Sequence, residues 1–186
     1  MLSKNNSRML IEIGSGISTR FARRAVSDLA LRTRIRSIDP CPREDIDKIC
    51  DDVVRLPVEV VDLAVFDSLD SGDVLFFDGS HRAFQNTDVT IFFTEILPRL
   101  KPGVIVGIHD IFLPYDYPPE WYGRFYNEQY LLACYLLGGD SWRILLPNYY
   151  VSKQPDLRSI LDPIWTHPAL SGIWYVGGAF WMTKRS

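Results

Sequence analysis

The stretch Met9-Leu10-Ile11-Glu12-Ile13-Gly14-Ser15-Gly16 decides the fold class. Its short apolar run reads as a buried strand, and the glycines close it at once. Beyond them, Ser18 or Thr19 can cap a helix whose apolar positions Phe21, Ala22, Ala25, Val26 and Leu29 recur at helical spacing. Strand, glycine turn and helix form the opening unit of an open α/β sheet.

The same alternation continues downstream. Ile35–Ile38 is a second strand, stopped by Asp39-Pro40, and a short helix is expected over 43–49. Asp52–Leu56 is a third strand and Asp73–Phe77 a fourth, followed by the loop Asp78-Gly79-Ser80-His81. Residues 86–97 predict a helix with Val89, Phe92, Phe93, Ile96 and Leu97 on one stripe, ended by Pro98. Val104–Ile108 is a fifth strand that delivers His109-Asp110. Residues 112–126 read as an ordered aromatic loop, Glu128–Leu137 as a helix, and Trp142–Leu146 and Ile173–Met182 as two closing strands joined by turns.

The chain has 186 residues, 47% hydrophobic and 23% charged, with 20 Lys+Arg against 23 Asp+Glu and a net charge of −3. That composition is too apolar for disorder. It lacks the basic excess of a nucleic-acid binder, and its apolar runs are far below the ~20 residues of a membrane span. The run Arg20, Arg23, Arg24, Arg32, Arg34 and Arg36 reads as a solvated surface. The amino end is polar, unlike a secretory signal, and Cys41, Cys50 and Cys134 have no metal-like spacing. A reduced, cytoplasmic protein with one domain over 1–186 is the expectation.

In open α/β sheets, ligands collect at the carboxyl ends of the strands. Those ends here are Glu12 to Gly16, Asp39, Asp78 to His81, and His109-Asp110. The glycines let a backbone approach a ligand closely, and an acid about 20 residues on can take both ribose hydroxyls. A dinucleotide fingerprint wants a third glycine, which Gly14-Ser15-Gly16-Ile17-Ser18-Thr19 lacks, and no P-loop exists. Glu12 disfavours a pyrophosphate and suits a cationic ligand. S-adenosylmethionine, an adenosine carrying a sulfonium and an amino-acid tail, meets those terms.

At this point the chain resembles the class I S-adenosylmethionine-dependent methyltransferases. The carrying residues are Ile11-Glu12-Ile13-Gly14-Ser15-Gly16, Ile38-Asp39-Pro40, Asp73 to His81, Leu100-Lys101-Pro102-Gly103-Val104 and Ile108-His109-Asp110. The Asp-Gly-Ser-His loop is similar to that of the small-molecule and sugar O-methyltransferase branch. The resemblance implies a Rossmann-like three-layer sandwich with a mostly parallel seven-stranded sheet and an antiparallel last strand. It implies cofactor roles for Glu12, Gly14, Ser15, Gly16 and Asp39, with Val58 and Glu59 on the adenine side. It also implies candidate catalytic roles for His81, His109 and Asp110.

The metal-dependent members of the class place an acid after the fourth strand, a basic residue three positions later and an acid pair after the fifth strand. The matching positions are Asp78, His81 and the pair His109-Asp110, with Asp78, His109 and Asp110 as the candidate ligands. A divalent ion such as Mg or Mn is therefore expected there, with histidine favouring a transition ion. Without a metal, His81 or His109, at an ordinary pKa of about 6.5, could take the acceptor proton. A nicotinamide-dependent oxidoreductase and a non-catalytic binding domain are the alternatives. A small-molecule or sugar acceptor is expected, without nucleic acid or membrane. Members of the class commonly carry lid helices before the first strand. Here that strand starts at residue 9, so a minimal domain is expected: either a trimmed core, or one closed by the aromatic segment 115–126 or by a second subunit in a homo-oligomer.

Overall fold

A computed structural model describes residues 1–172 and 176–185. Seven strands, β1 (Met9–Ile13), β2 (Arg34–Ile38), β3 (Asp52–Val54), β4 (Val74–Phe77), β5 (Ile105–Ile108), β6 (Trp142–Pro147) and β7 (Phe180–Lys184), form one sheet. Their order is β3-β2-β1-β4-β5-β7-β6. The first five pair in parallel, and β7 runs antiparallel between β5 and β6. That insertion departs from the 3-2-1-4-5-6 order of dinucleotide-binding sheets. The mostly parallel sheet and antiparallel last strand match the sequence reading.

The two-residue strand period splits the apolar residues between two faces. Ile11, Ile13, Leu75, Phe77, Val106 and Ile108 join the larger core cluster, while Leu10, Val74, Phe76 and Ile105 join the smaller one. Helix α1 (Leu2–Asn5) and helix α2 (Ile17–Asp28) lie on the smaller side, with Val26 and Ala22 packed inward. Helices α3 (Asp88–Ile91) and α4 (Leu97–Arg99), joined by a π-helical stretch Phe92–Ile96, cover the larger side with α5 (Glu128–Leu137). The layers are thus helix, sheet and helix.

Several local expectations change. Helix α2 starts at Ile17 with Gly16 as its cap residue, so Thr19 lies in the first turn rather than before it. Phe21 and Leu29, two of the apolar positions at helical spacing, are 71% and 56% exposed, because the face built on Ala22 and Val26 meets the sheet. The helix expected over 43–49 is only a 3₁₀ turn, Asp47–Ile49. Ahead of it the chain stays irregular while Ile46 is buried and Glu44 pairs with Arg20 at 2.7 Å. Pro98 sits inside the last helical turn instead of ending the helix, after a π-helical stretch that has already shifted the hydrogen-bond ladder. The final strand starts at Phe180; of the strand expected over 173–182, residues 173–175 lie outside the described residues. Between β6 and β7, where turns are expected, lie short helices such as α6 (Asn148–Lys153).

Candidate active site at the carboxyl rim of the sheet

Sheet register aligns the ends of four strands. Ile13 stands opposite both Ile38 and Phe77, and Phe77 opposite Ile108. The next residue of each strand is therefore Gly14, Asp39, Asp78 or His109, one row across the rim. Backbone hydrogen bonds carry the ladder into that row: Gly14 N–H to Ile38 O at 3.0 Å, Asp78 N–H to Ile13 O at 2.9 Å, and His109 N–H to Phe77 O at 2.9 Å. A cavity of about 720 Å³ opens over it, lined by Gly14 to Ser18, Asp39, Asp78 and His109 among others.

On one side of the cavity stands the glycine turn. Gly14 has φ +75°, and a Cβ there would lie 1.9 Å from the Asp78 carbonyl oxygen, so only glycine lets β1 and β4 end side by side. The Ser15 N–H and hydroxyl both donate to one oxygen of Asp39, at 2.8 and 3.0 Å, and the Cys41 N–H donates to the other at 2.8 Å. Arg55, the residue after β3, donates to the Asp39 carbonyl at 3.0 Å and to Ser37 Oγ at 3.2 Å. Asp39 is thus fixed in place at the cavity wall. Val58 and Glu59 line the same cavity.

Glu12 is buried beneath the turn and does not line the cavity. It acts through a chain: the Gly16 N–H donates to Thr19 Oγ1 at 3.0 Å, and the Thr19 hydroxyl donates to Glu12. Burial pushes the Glu12 carboxyl up to about 7, against the lowering effect of hydrogen bonds from Ser18 and Thr19. The sequence reading places Glu12 beside a cationic ligand; the geometry makes it a prop under the loop that would hold one.

On the other side, two histidines and three carboxylates converge. Asp78 Oδ1 lies 3.3 Å from His81 Nε2 and 3.2 Å from His109 Nδ1. Asp110 reaches His109 Nδ1 at 3.2 Å and His81 Nε2 at 3.6 Å. His81 is buried, its Nδ1 bonded to Glu128 and its ring 4.5 Å from that of Tyr126. His81 and Asp110 adopt left-handed backbone at φ +61° and +55°, a conformation that non-glycine residues take at a cost.

Electrostatics alter the expected histidine chemistry. Burial lowers the affinity of both imidazoles for a proton, but the surrounding acids outweigh it. Asp78 and Glu128 hold His81 well above its ordinary range, and Asp78 and Asp110 raise His109. Burial likewise opposes ionisation of Asp78, yet His109 and His81 hold it well below the usual carboxylate range. Neither imidazole is the ordinary base near pH 6.5 expected from sequence. His109 Nδ1 is also within reach of two carboxylates without the direction of a hydrogen bond, and is left unpartnered.

Glu128 is the residue that sequence reasoning missed. It stands 47 positions from His81, at the first turn of α5, where an acid is ordinary helix chemistry. The aromatic segment lines a second cavity of about 390 Å³, with Tyr117, Trp121, Tyr122, Phe125 and Tyr126 in its wall. It therefore backs His81 through Tyr126 rather than walling the first cavity. Four members of the arginine run meet acids: Arg20 with Glu44, Arg23 with Asp51, Arg24 with Asp28 and Arg36 with Asp52. No helix among the described residues is long and apolar enough to cross a membrane.

A family profile described as a methyltransferase domain matches residues 11–111, the span from β1 to the segment just past His109-Asp110. The chain belongs to the methyltransferase-domain family. Among solved structures, this methyltransferase-domain chain is similar to a provisionally assigned methyltransferase from Thermoplasma acidophilum, with TM-score 0.47 and 15% identity over 97% of this chain and 69% of that one. A SAM-dependent methyltransferase from Archaeoglobus fulgidus gives TM-score 0.45 and 14% identity over 99% and 91%. PKMT2 from Rickettsia typhi, in complex with AdoHcy, gives 0.40 and 17% over 91% and 35%. No curated protein sequence matches the chain.

Proposed function

We propose that this methyltransferase domain transfers a methyl group from S-adenosylmethionine to an oxygen of a small molecule or sugar. The observation that carries the reading is one cavity with two chemically different walls. Gly14, Ser15, Gly16 and Asp39 form the first, and Asp78 and His109 the second. The first wall suits an adenosine and its amino-acid tail: a close backbone approach, the amino end of α2 beside it, and a fixed acid for ribose hydroxyls. The second suits an acceptor hydroxyl that must lose a proton.

Methyl transfer is an in-line displacement at the sulfonium carbon: the acceptor oxygen forms the new C–O bond, the C–S bond breaks, the neutral thioether leaves, and the acceptor's proton is released to water beside the Asp78 carboxylate. Holding the two reactants in line supplies most of the rate. Asp78 stays ionised in its histidine cage, so it can accept a hydrogen bond from the acceptor hydroxyl and orient it. The donor types of Asp78, His109 and Asp110 also fit a divalent ion, and the unpartnered His109 Nδ1 is consistent with one. When bound, such an ion would lower the pKa of the acceptor hydroxyl.

Calorimetry with S-adenosylmethionine, S-adenosylhomocysteine and NADH tests the reading. Binding of the first two and not the third supports it; binding of NADH alone would favour an oxidoreductase. Cofactor binding without turnover on any hydroxyl acceptor would mark a non-catalytic domain.

A further inference from the structure

The resemblance maps a metal to Asp78, His109 and Asp110. The side chains group differently. Among the described residues, the donors that lie within 4.8 Å of one another belong to Asp78, His81 and His109. Asp78 Oδ1 is 3.3 Å from His81 Nε2 and 3.2 Å from His109 Nδ1. Ligands held about 2.0–2.1 Å from one small ion are separated by about that much. Asp110 stands beside this group, with one oxygen 3.2 Å from His109 Nδ1 and the other 3.6 Å from His81 Nε2.

His81 is prepared for such a role in a way that Asp110 is not. A ligating histidine commonly gives its other ring N–H to a carboxylate, which fixes the tautomer and aims the free nitrogen. Glu128 does this: it is completely buried, it bonds His81 Nδ1, and its second oxygen has no partner. Tyr126 closes the ring from the side. A fully buried carboxylate with one oxygen left over is costly, and orienting His81 is the one function its contacts express. Three carboxylates facing two imidazoles also leave the cluster acidic enough to welcome a cation.

We propose that Asp78, His81 and His109 form a two-nitrogen, one-oxygen site for a first-row transition ion, with Glu128 as the residue that positions His81 and Asp110 as a flanking acid. The proposal deepens the acceptor side of the function above and rests on that reading for its catalytic meaning. Its binding test does not. Two nitrogen donors favour Zn, Co or Fe over Mg, which prefers an all-oxygen shell with water.

The test is titration of the full chain with Co(II), followed by visible absorption, and calorimetry with Zn(II) and Mg(II). Wild type is expected to develop nitrogen-ligated Co(II) bands and to prefer Zn(II) over Mg(II). His81→Asn and Glu128→Ala are each expected to weaken binding by about tenfold or more, with partial rescue in Glu128→Gln, which keeps an acceptor for Nδ1. Asp110→Asn should weaken binding less than His81→Asn does. Circular dichroism identifies any variant that fails to fold, and Glu128→Gln then carries the comparison. No ion binding by wild type, preference for Mg(II), or a folded His81→Asn or Glu128→Gln variant with wild-type affinity and bands would overturn the proposal. So would a larger loss in Asp110→Asn than in His81→Asn. Calorimetry with S-adenosylmethionine on metal-free chain reports separately on the methyl-transfer reading.

Discussion

One oxygen of Asp39 accepts two hydrogen bonds from Ser15, from its backbone N–H at 2.8 Å and its hydroxyl at 3.0 Å. The acid at the end of β2 therefore shapes the glycine turn after β1, besides facing the cavity. Asp39→Ala removes the proposed ribose acceptor and leaves those donors unpaired. The expected result is a loss of about 1–3 kcal/mol in stability and at least about tenfold in S-adenosylmethionine affinity. Asp39→Asn, which keeps one acceptor oxygen, should lose less of both. Thermal melts and calorimetry on the same samples check the pair; wild-type affinity in folded Asp39→Ala would remove Asp39 from the cofactor side.

The two glycines of the turn have different duties, and substitution separates them. At Gly14 an added Cβ meets a backbone oxygen at 1.9 Å and φ is +75°, so neither side can yield. Gly14→Ala is expected to cost about 3–5 kcal/mol or to abolish folding. At Gly16 the nearest atom to an added Cβ is Glu44 Cγ at 3.9 Å. Gly16→Ala should cost only about 1 kcal/mol, the difference between a good and a poor helix cap. Denaturant unfolding of both variants measures the contrast.

What the sequence made legible is what is local. The row Gly14, Asp39, Asp78 and His109 can be read because each residue directly follows its own strand, and parallel register does the rest. The His81–Glu128 pair could not be read this way. It joins a loop after β4 to the start of α5, and no periodicity links the two. The same limit explains Phe21 and Leu29: helical spacing reports an apolar stripe, but packing of Ala22 and Val26 on the sheet decides which part is covered. The irregular stretch before Asp47 follows from tertiary demands too, through the burial of Ile46 and the pairing of Glu44 with Arg20. The histidines' proton affinity depends on acids assembled from three separate segments, so no isolated residue value could supply it.

Glu12 gives the molecule a pH dependence with a definite sign. Burial raises its carboxyl from 4.5 to about 7, so the folded state binds the proton more tightly than the unfolded chain does. Its contribution to stability is fully present below about pH 4.5 and is lost as pH rises through about 7. Glu12→Gln stays neutral and can still accept from Thr19. Relative to wild type, it should gain about 1–3 kcal/mol between pH 5 and pH 8. Urea unfolding at the two pH values measures this double difference; a difference that stays flat would mean that Glu12 is not desolvated as its position implies.

Asp78 separates the two walls of the cavity functionally. Its backbone carbonyl abuts Gly14, but its carboxylate points into the histidine cluster, with His81 at 3.3 Å and His109 at 3.2 Å. Asp78→Ala keeps the backbone contact and removes the carboxylate that would orient an acceptor. Turnover should therefore fall by at least about a hundredfold, the scale of a lost acceptor-positioning group, while S-adenosylmethionine affinity changes little. Asp78→Asn should recover folding and cofactor binding but not rate, because an amide does not carry the charge that orients the hydroxyl. Single-turnover methyl transfer measured beside cofactor calorimetry decides the matter. Retained turnover in Asp78→Ala would move the acceptor to another part of the rim, and a parallel loss of cofactor binding would merge the two walls into one.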